Sequence, residues 1–368
     1  LDSKNFLGKI KDYIDEKFYV GPKSIIGIDI GLSAIKMAEV TKSGDTYKIN
    51  AYASVELPEG AIIEDEIQKE DEVLKALQSC LKKLNTSSKL ACIGLSGPNT
   101  LIKKLQLGSG TYEEIEDNVI WEIEQYLPFS IDDGNVSFSI LSENAGGGVE
   151  VMIGAAKKSL INSYKDLVER INLKVKIVDL APAATINVYE NVLSELANES
   201  GATQIILDLG AQKTQFFIYK NGLMAFYKEI AIGGLTITEE IQRQMGVNFA
   251  EAESLKIHGD GNGNIPEEIV DIINQVLDSF FAELKKTIDF WVSSTSEESF
   301  EHCIITGGSS LIPGFNEALE EVVGTEVLVL NPFAKMSFNQ NKITEDMIND
   351  IAYRGICAIG LAMRTVEK

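Results

Sequence analysis

The sequence predicts an α/β protein of two homologous lobes, with a small α/β subdomain inserted after the opening strands. Three observations carry that reading. An apolar, β-branched run ends in Asp29-Ile30-Gly31, and a second run about half a chain later ends in Asp208-Leu209-Gly210. Each is followed by strand, turn and strand in the same order. Between them lies a stretch, residues 98–173, that the repeat does not require.

The length of 368 residues favours more than one lobe, because a single core stops growing near this size. Hydrophobic residues at 45% and charged residues at 24% exclude disordered and fibrous classes. A formal net charge of -22 argues against a nucleic-acid binder, which neutralises phosphates with basic side chains. It also disfavours adhesion to an anionic membrane over the whole surface. ATP stays compatible, since backbone N–H groups and a divalent ion hold phosphates without a basic surface. Cys80, Cys92, Cys303 and Cys357 are widely spaced and read as reduced thiols of a cytosolic protein. With only His258 and His302, a zinc site has little support. No run approaches 18 apolar residues, and Leu1-Asp2-Ser3-Lys4 lacks the regions of a signal peptide and, without Met, suits a trimmed start.

Phe6, Leu7, Ile10, Ile14 and Phe18 fall at helical spacing and predict an amphipathic N-terminal helix, ended by Gly21-Pro22. A helix packed on the domain edge is the plainer reading; a membrane or partner anchor is the other. Ile25–Gly31 suits a strand buried on both faces. Strands at 35–40 and 47–57, a helix faced by Val73, Leu77, Leu81 and Leu84, and a strand at 90–95 follow. Within the insert, residues 112–126 read as a helix closed by Leu127-Pro128-Phe129. Strands at 136–141 and 149–155 and a helix at 160–171 complete it, before a strand at 174–180. The second lobe opens with strands at 205–210, 215–220 and 223–230, the last two joined by Asn221-Gly222, a strong hairpin signal. Helical segments at 237–245, 250–256 and 267–291, a strand at 302–306 and a final helix at 351–365 complete the chain.

A lone Asp-x-Gly is an ordinary turn. Paired at the ends of two buried strands, Asp29 and Asp208 instead suit a water-coordinated Mg²⁺ held by phosphates, because a carboxylate buried there unpaired is costly. Gly31 and Ser33 aim backbone N–H groups at a phosphate. Lys36 alone would be an exposed strand lysine; beside this loop it suits a phosphate contact. Gly307 and Gly308, after a strand and before a helix, allow close backbone approach to a flat ligand, with Ser309 next to them. Residues 260–264 begin like a calcium loop, but Ile265 and Asp271 break that pattern.

In this order the three motifs resemble the actin/chaperone/sugar-kinase ATPase superfamily over nearly the whole chain. Within it the sequence resembles the PilM family of type IV pilus assembly, in the branch that also contains FtsA. The resemblance rests on Ile28-Asp29-Ile30-Gly31 with Lys36, Tyr126-Leu127-Pro128-Phe129, Asp208-Leu209-Gly210-Ala211 with Thr214, Gly233-Gly234, and Glu253-Ser254-Leu255-Lys256. It implies an actin-like, ribonuclease H-like duplicated fold binding ATP and Mg²⁺. Asp29 and Asp208 would stand around the metal, Gly210, Lys213 and Thr214 at the outer phosphates, and Glu253 and Lys256 near the ribose. Residues 1–23 form a leader; 24–97, 174–200 and 345–368 the first lobe; 98–173 a partner-binding insert; 201–235 and 300–344 the second lobe; and 236–299 its helical subdomain. The implied partner is the cytoplasmic N-terminal peptide of a PilN-like inner-membrane protein, with other pilus assembly proteins and self-association besides. That would hold the chain in the cytoplasm at the inner face of the inner membrane.

Two departures qualify the resemblance. Ala181, not a Glu or Gln, precedes Pro182 at the strand-to-helix crossover, and Leu32 replaces a small polar residue in the first loop. Without a general base, worth roughly 10²–10⁴-fold in rate, ATP is expected to act as a structural ligand or switch with at most weak hydrolysis. An FtsA-like filament protein is the alternative, but such chains end in a linker and membrane helix, whereas this one is expected to stop after its last core helix. A small-molecule kinase would need Asp179 as its catalytic carboxylate.

Overall fold

The computed structural model describes residues 24–143, 147–260, 264–295, 297 and 299–364. The N-terminal helix expected at 4–18 lies outside them. The chain runs β1 (Ile26–Ile30), β2 (Ala34–Ser43), β3 (Thr46–Glu56), β4 (Ile62–Ile63), β5 (Glu66–Ile67), α1 (Glu70–Leu84) and β6 (Leu90–Leu95). The insert contributes β7 (Thr100–Leu107), α2 (Tyr112–Glu124), β8 (Gly134–Glu143), β9 (Val149–Lys157) and α3 (Lys158–Glu169). There follow β10 (Lys174–Leu180), α4 (Ala181–Val192), the short α5 (Ser194–Ala197), β11 (Thr203–Leu209), β12 (Thr214–Lys220) and β13 (Leu223–Ile230). The remainder is α6 (Gly234–Met245), α7 (Phe249–His258), α8 (Glu267–Thr295), β14 (His302–Thr306), α9 (Phe315–Val323), β15 (Glu326–Val329), β16 (Ser337–Phe338), α10 (Glu345–Arg354) and α11 (Ile356–Ala362).

The first sheet has the order β10-β6-β1-β2-β3-β16 and the second β13-β12-β11-β14-β15. In both, the opening strand pairs antiparallel with its successor and parallel with a later strand: β1 with β2 and β6, β11 with β12 and β14. This is the actin-like duplicated fold that the motif order implies. β1 and β11 are buried on both faces of their sheets, which is why their sequences are almost wholly apolar rather than alternating.

A third sheet, β7-β9-β8, makes up the insert, with α2 laid on one face through Ile115, Val119 and Ile123. Its helix start is set by a capping box between Thr111 and Glu114. The sequence reading misses β7: its Lys103-Lys104 pair interrupts the apolar pattern that marks strands. β7 and β13 are both edge strands, and they approach each other across the molecule.

α4 and α11 join the lobes. One continuous core takes Val40 and Tyr52 from the first lobe, Ile206 and Phe217 from the second, and Tyr189 and Ile359 from these two helices. α11 lies so close to its neighbours that side chains are excluded at two positions. A Cβ on Gly27 would stand 2.0 Å from the Ala358 carbonyl oxygen, and one on Gly360 2.0 Å from that of Ala184. The single helix expected at 351–365 is in fact two, broken at Gly355. The break turns α11 into the gap between β1 and α4.

Gly360→Ala should therefore destabilise the chain by about 3 kcal/mol through overpacking, read as a lowered urea midpoint with unchanged slope.

Candidate functional site

The site lies where the two repeated strand–turn–strand units meet. In the first, Asp29 is directly opposite Lys36 in the antiparallel register of β1 and β2. Opposed residues share a face, so the seven-residue spacing delivers the ammonium to the carboxylate. Lys36 Nζ lies 3.0 Å from Asp29 Oδ2, with both side chains largely buried. Burial works against the charged ammonium, but the Asp29 carboxylate outweighs it and holds the Lys36 pKa above its ordinary value. The intervening turn is closed by Gly31 N–H donating to the Ala34 carbonyl at 3.1 Å. Leu32 packs on the first-lobe core, and the Ser33 carbonyl accepts from Leu57 N–H.

The second unit has the same register with different chemistry. Asp208 is directly opposite Gln215, a neutral residue. Burial, reinforced by the charge of Asp29, pushes the Asp208 carboxyl up to about 6, against the opposing pull of Lys36 and a hydrogen bond from Thr185. That bond, from Thr185 Oγ1 to Asp208 Oδ2, is 3.3 Å long. Gln215 Oε1 is buried without a hydrogen-bond partner. Of these two register pairs, only Asp29–Lys36 matches a carboxylate with a cation.

A Mg²⁺ ion fits this donor set. It is a hard cation that takes oxygen ligands and keeps several waters, and Asp208 is a half-buried carboxylate that faces a second carboxylate and no cation in its own strand register. Among the described residues no three His, Cys, Asp or Glu side chains converge. Asp29 and Asp208 would therefore share the ion with phosphate and water oxygens.

Several other predicted residues come together on the second-lobe side of the cleft. Gly234 N–H donates to the Gly210 carbonyl, Leu235 N–H to Ala211, and Ser309 Oγ to Gly210 at 2.8 Å. Lys256 Nζ reaches the Gly234 carbonyl at 3.1 Å, Thr238 Oγ1 at 2.8 Å and Glu253 Oε2 at 2.7 Å. Gly233 and Gly234 thus open α6 inside a network that also holds Glu253, Lys256 and Ser309. Gly307 has φ +92°, and a Cβ there would meet the backbone of Leu209 at 2.3 Å. Its glycine is required by the protein's own strand packing. Arg354, which the motifs do not mark, lies against Gly308 and pairs with Asp350 at 3.1 Å.

Two expected phosphate-loop side chains are otherwise engaged. Thr214 is buried, and its hydroxyl donates to the Ile232 carbonyl at 2.9 Å. Lys213 Nζ turns to Asp65 Oδ2 at 2.8 Å and Glu229 Oε1 at 3.0 Å. Neither acid is marked by sequence, since Asp65 is distant along the chain and Glu229 sits in an ordinary strand. At the crossover, Ala181 opens α4 with Pro182 beside it and offers no base. Asp179 is held by Arg364 Nε at 2.5 Å and by its neighbour's N–H, which leaves little of it for catalysis. Cys80, Cys92 and Cys303 are buried free thiols, and Cys357 is half-buried.

The family model of "Type IV pilus assembly protein PilM" matches residues 27–366. A solved structure described as the "PilM-PilN type IV pilus biogenesis complex" superposes with a TM-score of 0.83 at 24% identity, covering 95% of this chain and 100% of that one. The ethanolamine utilization protein EutJ from Carboxydothermus hydrogenoformans follows at a TM-score of 0.55 and 13% identity, with 93% and 90% coverage. The cell division protein FtsA of Streptococcus pneumoniae is 21% identical over 404 residues, covering 93% of this chain and 87% of that protein. FtsA of Staphylococcus epidermidis is 22% identical over 372 residues, covering 87% and 75%.

Because Asp208 ionises less readily in the folded chain than in the unfolded one, its charge is a penalty that grows as pH rises from about 4 through about 6. Asp208→Asn should therefore stabilise the chain at pH 7.5 in EDTA by on the order of 2 kcal/mol, with no gain at pH 4. Urea titrations at the two pH values check this.

Proposed function

The chain belongs to the type IV pilus assembly protein PilM family, and from that premise we propose that it is an ATP-binding assembly component that receives the N-terminal tail of a PilN-like membrane protein. The observation that carries the nucleotide reading is the charge imbalance at the cleft: Asp29 is matched by Lys36, while Asp208 stands opposite Gln215. In this reading Mg²⁺ supplies the missing positive charge when ATP is bound. Asp29 and Asp208 would hold it, and the turns at Gly31–Ser33 and Gly210–Thr214 would receive the phosphates. Gly233, Gly234, Glu253, Lys256 and the Gly307–Ser309 loop border the nucleoside. Ala181 holds no proton acceptor beside Pro182, so the bound nucleotide is retained as a structural ligand or switch.

A groove of about 460 Å³ supports the docking of a tail. It runs between the edge strands β7 and β13, lined by Ile102, Met152 and Phe226 with Lys104 and Lys228 among them. Two edges facing one groove of mixed apolar and basic lining suit an extended peptide, which would gain main-chain hydrogen bonds and side-chain pockets together. No helix of the described residues is long and apolar enough to cross a membrane, so the bound tail is the proposed route to the inner face of the inner membrane. The cell division protein FtsA relatives match most of the chain, and an FtsA-like filament protein is kept as the second reading. Sedimentation with Mg-ATP decides between the two, since ATP-dependent pelleting belongs to the second alone.

Mg-ATP should raise the melting temperature of the wild-type chain and leave Asp208→Asn unmoved. Phosphate release should stay below about one turnover per second, under the ordinary enzyme range. Met152→Asp should weaken a synthetic PilN-like tail peptide at least tenfold in isothermal titration, from a charge placed on the apolar part of the groove beside Ile102 and Phe226. Unchanged affinity would remove the groove from the proposal.

A further inference from the structure

Lys213 occupies the second phosphate turn, yet its ammonium is gripped from both lobes. Glu229, on β13, belongs to the second lobe, and Asp65 to the tip of the β4–β5 hairpin in the first. All three side chains are mostly buried, Lys213 being 13% and Asp65 10% exposed, so this is not a solvated surface pair. Asp65 is itself held in place with care. It has φ +62°, its other carboxylate oxygen accepts from Ser96 Oγ at 3.1 Å, and its backbone carbonyl accepts from Tyr164 of α3 at 2.9 Å. Gly97 is a glycine because a Cβ there would stand 1.9 Å from Asp65 Oδ2. Tyr227 OH donates to Glu229 at 2.8 Å.

These contacts converge on one place. Ser96 and Gly97 lead into β7, Tyr164 belongs to α3 of the insert, and Gly97, Tyr227 and Glu229 line the groove between β7 and β13. A single ammonium therefore touches the phosphate turn, the opposite lobe and the wall of the groove. We propose that Lys213 is shared between the Asp65–Glu229 pair and the terminal phosphate of a bound nucleoside triphosphate, so that the interlobe tie reads the presence of that phosphate. The physics is competition among anions for one cation. A terminal phosphate carries about as much charge as the two carboxylates together, and in a buried site Coulomb attraction is weakly screened, so the phosphate can compete with the pair for the one ammonium. A diphosphate, lacking the outermost group, leaves the tie in place. Drawing Lys213 away frees Asp65 and Glu229, and with them the hairpin and the groove wall. The inference rests on the nucleotide reading above and adds to it the residues that distinguish triphosphate from diphosphate.

The test uses the full chain and the fluorescent analogues mant-ATP and mant-ADP with Mg²⁺. Asp65→Asn removes one competitor for Lys213 and should tighten mant-ATP about tenfold, a difference of about 1.4 kcal/mol, while mant-ADP changes less than twofold. Lys213→Met should bring the two affinities together. Equal changes for both nucleotides in Asp65→Asn would overturn the proposal and reduce Asp65 to a packing role. Hydrogen exchange on the unmodified chain provides a readout that needs no variant to fold. ATP should speed exchange in residues 62–67 and 97–104, and ADP should not; identical profiles with both nucleotides bound overturn the tie while leaving the nucleotide site standing. Failure of the wild-type chain to bind either analogue removes the nucleotide reading and this inference together.

Discussion

The structure is organised around two half-buried carboxylates that a duplicated strand pattern brings together, where only one has a cation opposite it in the strand register. The β1–β2 register sets Lys36 against Asp29, and the equivalent register of β11 and β12 sets Gln215 against Asp208. Much else keeps that imbalance in place. α4 carries Thr185 to Asp208 and packs against α11, which in turn lies on β1 so closely that Gly27 and Gly360 are the only side-chain choice. A shared core across both helices makes the distance between the carboxylates a property of the fold rather than of a loop. The repulsion between two like charges is thus built in, and a divalent ion of the kind proposed above would relieve it.

The parts of this arrangement that repeat were legible in the sequence. Asp29 and Asp208 announce themselves by ending apolar runs, and the Asn221-Gly222 hairpin marks the second unit; each signal is local and obeys a simple period. The spacing from Asp29 to Lys36 also reads directly, since an antiparallel register with a short turn converts it into contact. What stayed hidden depends on distant segments. Asp65 becomes a partner of Lys213 only because a two-residue hairpin folds across the cleft, and Arg354 reaches Gly308 from near the end of the chain. No window of sequence contains both halves of either contact. β7 was missed for a different reason: its Lys103 and Lys104 serve the Tyr126 ring and Glu150, so a strand of the insert looks too polar to be one. The break at Gly355 was missed because the periodicity of α10 and α11 runs on across it while the axis turns.

The expected phosphate contacts divide in an informative way. Glu253, Lys256, Gly234 and Ser309 form one network that fixes α6 and α7 against the Gly210 turn, so the wall of the cleft is shaped by the protein's own hydrogen bonds. Such a wall is preorganised, which lowers the ordering cost of any ligand it receives. Lys213 lies outside that network. It is the one charged side chain of the Gly210–Thr214 turn, and both of its anions belong to elements that border the insert or its groove.

That division limits how a signal could travel. Lobes joined through Tyr189, Phe217, Ile359 and their neighbours, all buried, do not slide past one another without opening a well-packed core, and cavities of that kind cost several kcal/mol. A side-chain exchange needs no such opening. Moving one ammonium by a few ångströms alters the pairing of Asp65 and Glu229 while the sheets stay where they are. The rigid clasp and the adjustable tie are therefore complementary: the first holds two carboxylates at a set distance, and the second lets the small hairpin and the edge strands respond. Because Ala181 provides no base at the crossover, the tie would be governed by which nucleotide is bound rather than by rapid turnover, which suits a component whose task is assembly.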